Sequence, residues 1–230
     1  MKKVFLSVIV LFTSITFARA QSCSQFINAV NGKKLVYSIA GANGKSSNKV
    51  IITSTKKNES TITVHSEMFD KTGQKTTGGD SEITCTGDAI NVDIKSFLPP
   101  ASASQFGKMD MQADGKYLVY PLKLSAGQTL KDGSASIAVN SGGTHFGDIL
   151  VDITKRRVEK KETISTGAGN FECFRIGYDI NVRAEFMGAS IPVIMHVTEW
   201  FSPKLGRMVK SQTYNKEGNL SGTMMLDAIN

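Results

Sequence analysis

The chain is poor in the residues that usually carry chemistry. Histidine occurs three times, as His65, His145 and His196, and the sequence contains neither a Gly-x-Ser-x-Gly elbow nor a His-Glu-x-x-His pair. A Ser-His-Asp set assembles only in space, and nothing in the run of residues singles one out. Cysteine also occurs three times, at Cys23, Cys85 and Cys173. Such wide spacing lacks the paired ligands of a zinc site. The 21 glycines fall mostly in turn-like tetrapeptides, which excludes a glycine-rich phosphate loop as the reason for their number. No apolar run after the first twenty residues approaches the roughly 20 residues a membrane-spanning helix requires. The chain is therefore expected to be no enzyme and to need no cofactor and no metal.

What is present begins with an address. MKKVFLSVIVLFTSITFARA has Lys2 and Lys3, an apolar core from Val4 to Phe17, and small residues around Arg19. That is the pattern of a secretory signal. Residues 1–20 are expected to be removed after Ala20, leaving 21–230 as one β-rich domain. The small residues ahead of Cys23 leave lipoprotein processing at that cysteine as the alternative. Of 27 basic and 20 acidic side chains, Lys2, Lys3 and Arg19 lie in the signal and no acid does, so 24 bases face 20 acids. This is an ordinary surface and gives no nucleic-acid footprint. In an oxidising compartment two of three cysteines pair. Three pairings are open, and Cys23–Cys85, which would tie the N-terminus to a sheet, is the one expected.

The dominant period is two. In RIGYDINVRAEF the even positions Ile176, Tyr178, Ile180, Val182, Ala184 and Phe186 are apolar or aromatic, while Asp179, Asn181, Arg183 and Glu185 are polar. TITVHSEM repeats the pattern, with Ile62, Val64 and Met68 on one side. Such alternation places one face on a core and the other in water, as in an antiparallel sheet. DKTG and NKEG place Asx first and Gly fourth, which suits type I turns closed by a left-handed glycine. With five prolines and no long amphipathic helix, the fold expected is all-β. It is a single antiparallel, strongly curved sheet forming a barrel or half-barrel, lipocalin-like or clam-like.

One stretch, KSFLPPASASQFGKMDM, departs from strand grammar and is expected to be a long Pro-containing loop near 97–108 over an edge or mouth. Its scattered apolar residues make Phe97, Phe106, Met109 and Met111 candidates for lining a site for an apolar or lipid-like ligand, together with Trp200. The nine methionines and 18 aromatics (12 Phe, five Tyr, one Trp) could line such a pocket or simply pack on one another. Met109-x-Met111 and Met195-His196 are read as core filling rather than as copper ligands. In KRRVEKKE, alternation sends Lys155, Arg157 and Lys161 to one face and Arg156 and Lys160 to the other. The expectation there is a solvated strand rather than a lipid-headgroup site.

The C-terminal third carries a resemblance. KKETISTGAGNFECFRIGYDI followed by TEWFSPKLGRMVKSQTYNKEGNLSGTMML is similar to the TapB-like family of secreted Gram-negative β-rich proteins, a domain of unknown function. The matching residues are Ala168, Gly169, Phe171 and Cys173, then Glu199, Trp200, Pro203, Gly206, Val209 and Lys210. Asn170 stands where that family has a hydroxyl residue. The resemblance implies an exported β-domain, periplasmic or outer-membrane associated or extracellular, and brings no catalytic residues. In EWFSPKLGRMVK, Pro203 sets a turn and Gly206 lets the backbone reverse, so Trp200 is expected at a hairpin corner, packed over a barrel end. The function expected is a non-enzymatic exported domain that binds an apolar or lipid-like small molecule. The alternative is a structural module that docks an envelope protein by strand addition.

Overall fold

The computed structural model describes residues 23–94, 110–115, 117–141, 143–186 and 189–230. A short helix, α1 (Cys23–Val30), leads into β1 (Lys34–Gly41), β2 (Ser46–Asn58), β3 (Thr61–Phe69), β4 (Lys75–Thr86) and β5 (Ala89–Asp93). After the loop region come β6 (Asp110–Gly115), β7 (Tyr117–Pro121), β8 (Gly133–Ser141), β9 (Thr144–Thr166) and β10 (Gly169–Phe186). The chain ends with β11 (Ala189–Ser202), β12 (Arg207–Asn215) and β13 (Leu220–Ile229).

Among the described residues all these strands belong to one 13-stranded antiparallel sheet, ordered β6-β8-β9-β10-β11-β12-β13-β1-β2-β3-β4-β5-β7. The sheet is nearly closed into a barrel. Its topology explains the curvature. The two edge strands, β6 and β7, are separated in sequence by residue 116 alone, so the chain steps from one edge of the sheet straight to the other. A flat sheet of this width could not place its edges within a single residue of each other. The long Pro-containing loop expected at 97–108 lies outside the described residues.

The alternation seen in the sequence is the inward row. Ile176, Tyr178 and Ile180 of β10 and Ile62, Val64 and Met68 of β3 are buried, with Ile137, Val139, Ile149, Val151 and Leu226 from other strands. Helix α1 closes one end. Its apolar residues Phe26, Ile27 and Val30 share one face and are buried, and the helix packs against β2 and β4. Cys23, its first residue, is disulfide-bonded to Cys85 of β4, leaving Cys173 free and buried.

Strict alternation fails on β9, and the failure matters. Across β10, Gly177 pairs with Arg157 and Asp179 with Thr154, so two residues of β9, Lys155 and Arg156, stand opposite Tyr178. This is a β-bulge, with Lys155 in the left-handed region at φ 57°. The extra residue shifts the inward set from Val151 and Ile153 to Arg156 and Val158. The expectation of a solvated basic strand is therefore corrected at Arg156, which is fully buried. Lys155, Arg157, Lys160 and Lys161 are exposed.

Candidate functional site

Arg156 points at the seam where the sheet fails to close by ladder pairing. Its Nη1 donates to the carbonyls of Val119 on edge strand β7 (3.2 Å) and of Lys131 just before β8 (2.7 Å). Its guanidinium carbon lies 4.6 Å from the centroid of the Tyr120 ring, a cation–π contact. Phe201 stacks on Tyr120 at 4.3 Å between centroids. The Tyr120 hydroxyl donates to Glu199 Oε1 (2.9 Å), and Tyr178 donates to Glu199 Oε2 (3.2 Å). One buried carboxylate thus holds residues of β7 and β10 from its place on β11, while Arg156 of β9 holds the same β7 strand. The seam is latched by side chains.

Burial sets the protonation of this cluster. It raises the Glu199 carboxyl above the ordinary glutamate value, against the opposing pull of Arg156 and the two tyrosine hydroxyls. Burial first, and then the Glu199 charge, pushes both phenols well above the usual range. Arg207, at the start of β12, is lowered by burial against the pull of Tyr37 and Tyr120. Tyr37, pushed up to about 12 mainly by burial, donates to the Met208 carbonyl (2.9 Å). A cavity of about 30 Å³ adjoins Glu199, Tyr120 and Arg207. The cluster centres on one buried carboxylate with two tyrosine hydroxyls donating to it.

The opposite end of the barrel is different. Along the inward face of β10 and β11, paired residues become progressively more exposed. Ile176 and Glu199 are shut off from solvent, Tyr178 and Val197 nearly so, Ile180 is buried beside half-buried Met195, and half-buried Val182 pairs with Val193 at 47% exposed. Strand β12 ends where Asn215 pairs with Met195, so among the described residues β11 from Ala189 to Ile194 has no strand neighbour on that side. Ile194, on the outward face, is 46% exposed. Among the described residues the barrel is plugged by α1 at one end, and nothing covers the inward Val193 at the other.

The residues singled out in the sequence are scattered across this architecture. Trp200 sits at the expected hairpin corner between β11 and β12. It has the opposite parity to Glu199, with Nε1 donating to Glu162 Oε1 (2.9 Å) and Lys210 Nζ 4.6 Å over its ring. Met111 lies on β6, paired with Val139. Phe97, Phe106 and Met109 lie outside the described residues. His65 and His196 pair with Asp80 (2.6 Å) and Asp179 (2.5 Å) on exposed faces. Among the described residues no group of three or more His, Cys, Asp or Glu is placed to hold a metal, and no helix is long and apolar enough to cross a membrane. Sequence reasoning missed Arg156 and Glu199. Glu199 did leave a signal, because it falls in phase with the apolar stripe Val193, Met195 and Val197.

Comparison with known proteins agrees with this architecture. Residues 30–226 match the DUF3108-like family, and the chain belongs to it. No curated protein matches the chain. A candidate exported protein with a YmcC-like fold from Bacteroides fragilis is similar in structure, with a TM-score of 0.68 at 19% identity, over 87% of this chain and 96% of that one. A candidate lipoprotein from Parabacteroides distasonis gives 0.74 at 20% identity, over 91% of this chain and all of that one (100%). At these identities the likeness is one of fold.

Proposed function

We propose that this member of the DUF3108-like family is an exported, non-enzymatic β-domain of the bacterial envelope that binds an apolar or lipid-like group at its open end. The observation that carries the reading is the inward-facing Val193. An apolar side chain that points to the concave side of a barrel and remains nearly half exposed marks wall without a filling. Below it the row closes at Val197 and Tyr178, so the ligand occupies the mouth rather than the length of the barrel. The signal-like first twenty residues support export, as do the exported protein and the lipoprotein that share the fold. The Ala168–Cys173 and Glu199–Lys210 stretches support placement among the TapB-like secreted proteins.

Native mass spectrometry of the protein purified from its own host tests this. We expect a bound small molecule that is lost from the Val193→Asp variant. A bare polypeptide mass in the unmutated protein, or turnover of ester, peptide or glycoside substrates, would sink the reading. A second reading, docking of an envelope protein by strand addition, draws on the unpartnered stretch of β11. Pro192 at its centre supplies no N–H, which weakens any ladder built there. A stoichiometric protein partner in crosslinked cells would favour it.

A further inference from the structure

On the outer wall of the barrel, Arg175 of β10 pairs with Trp200 of β11 and with Lys160 of β9, and Cys173, two residues along, pairs with Glu162. Residues opposite one another, or two apart along a strand, share a face. Trp200, Arg175, Cys173 and Glu162 therefore all look outward, as does Lys210 opposite Trp200 on β12. The indole Nε1 donates to Glu162 Oε1 at 2.9 Å. Strands β11 and β9 are separated by β10, a span of about 10 Å at the usual strand spacing, so the ring has to lie over β10 to make that bond. Arg175 leaves the path free, because its guanidinium is turned to Glu159. Lys210 Nζ lies 4.6 Å from the ring centroid and holds the indole from the β12 side. Cys173 faces away from the barrel interior and is nevertheless fully shut off from solvent.

We propose that Trp200 is a strap across the outer wall, tied down by Glu162 and Lys210, that seals the Cys173 thiol from disulfide exchange and keeps the folded chain at its single Cys23–Cys85 bond. In the oxidising compartment that export implies, an accessible third thiol would attack a disulfide of another molecule and form a mixed disulfide, releasing one thiol. Beneath the strap the Cys173 Sγ makes a weak bond to the Phe171 carbonyl (3.5 Å). Burial, and then the Glu162 charge, push that thiol up to about 12, which suppresses the attacking thiolate. The inference concerns the outer wall and is independent of the ligand proposed for the Val193 end.

Alkylation by iodoacetamide, followed by intact mass, tests the strap, because Cys173 is the free cysteine and reports alone. In the unmutated protein the rate is expected to climb with urea at the full slope of global unfolding, the signature of a group exposed when the whole chain opens. Without urea, Trp200→Ala should alkylate at least about ten-fold faster, since the cover and its bond to a charged acceptor are both gone. Its rate should also be flat in low urea, as for local exposure. Where alanine at this position fails to fold, Trp200→Phe, which loses the N–H but keeps a ring, takes its place with the same expected direction. Rapid, urea-independent alkylation of the unmutated protein overturns the proposal. So does a folded variant whose rate still tracks global unfolding after correction for its own urea midpoint.

Discussion

Replacing Arg156 by methionine tests whether the barrel seam is held by its guanidinium. Methionine keeps an apolar stem of similar length, so the loss is mainly one of charge and donors. Two hydrogen bonds from a charged group disappear, to the carbonyls of Val119 and Lys131, at about 1.5–3 kcal/mol each. The cation–π contact with Tyr120 goes with them, and Glu199 loses the buried cation that restrains its pKa. Removing one member of a buried charged set costs about 3–5 kcal/mol. Against this, Arg156 Nε and Nη2 are buried without partners, and deleting them relieves part of the desolvation already present. The balance is a loss of about 3 kcal/mol, or a fall in Tm of about 6–12 °C for a chain of this size.

The assay is urea unfolding under non-reducing conditions, repeated in a Glu199→Gln background. A neutral carboxamide needs no counter-charge, so Arg156→Met is expected to cost measurably less there, with a coupling of about 1 kcal/mol or more. A single-variant loss below about 1 kcal/mol, or additive effects in the double variant, would refute the latch.

Two further outcomes follow from the plugged end. Gly206 sits at φ 60°, and a Cβ there would fall 2.4 Å from the Phe26 ring; Gly206→Ala should therefore lose about 3 kcal/mol from left-handed strain and overpacking together. The Phe26→Leu background should recover part of that loss in the same unfolding assay, and an alanine variant as stable as the parent would show the helix does not press on this corner. The Cys23–Cys85 bond closes a sequence separation of 62, so reduction should lower stability by about 4 kcal/mol on the chain-entropy account. Because one sulfur cannot hold both a disulfide and a lipid thioether, intact mass should show mature protein two hydrogens lighter than its reduced form and free of acyl mass. An acylated Cys23 would contradict the fold at α1.

Much of the sheet was legible because alternation is a local property. Ile176, Tyr178 and Ile180, or Ile62, Val64 and Met68, declare their inward face within a few residues, and the turn tetrapeptides punctuate them. The hairpin corner at Pro203–Gly206 was legible for the same reason. The short α1 was not, since eight residues give its Phe26, Ile27 and Val30 stripe little more than one repeat. Bulges were invisible too. Nothing in KRRVEKKE announces that Lys155 adopts a left-handed backbone, yet that insertion exchanges the faces of the residues after it, up to a second register shift opposite Arg175 and Ile176, and carries Arg156 from solvent to core.

Glu199 marks the other kind of miss, in which the signal existed and motif reading passed over it. In IPVIMHVTEWF the residues Val193, Met195 and Val197 share a parity with Glu199, while Trp200 shares that of His196 and Thr198. Attention to the tryptophan as a ligand anchor followed residue type; attention to phase would have followed the acid. An acidic side chain in step with an apolar stripe has to be buried, and a buried carboxylate has to find donors or a cation. The strand therefore implies partners for Glu199 before any are identified. The structure supplies them from β7 and β10 through Tyr120 and Tyr178, with Arg156 of β9 over the Tyr120 ring. The seam is thus where such partners converge, because there edge strand β7 meets β9 and β11, which lie far from it in the sheet order.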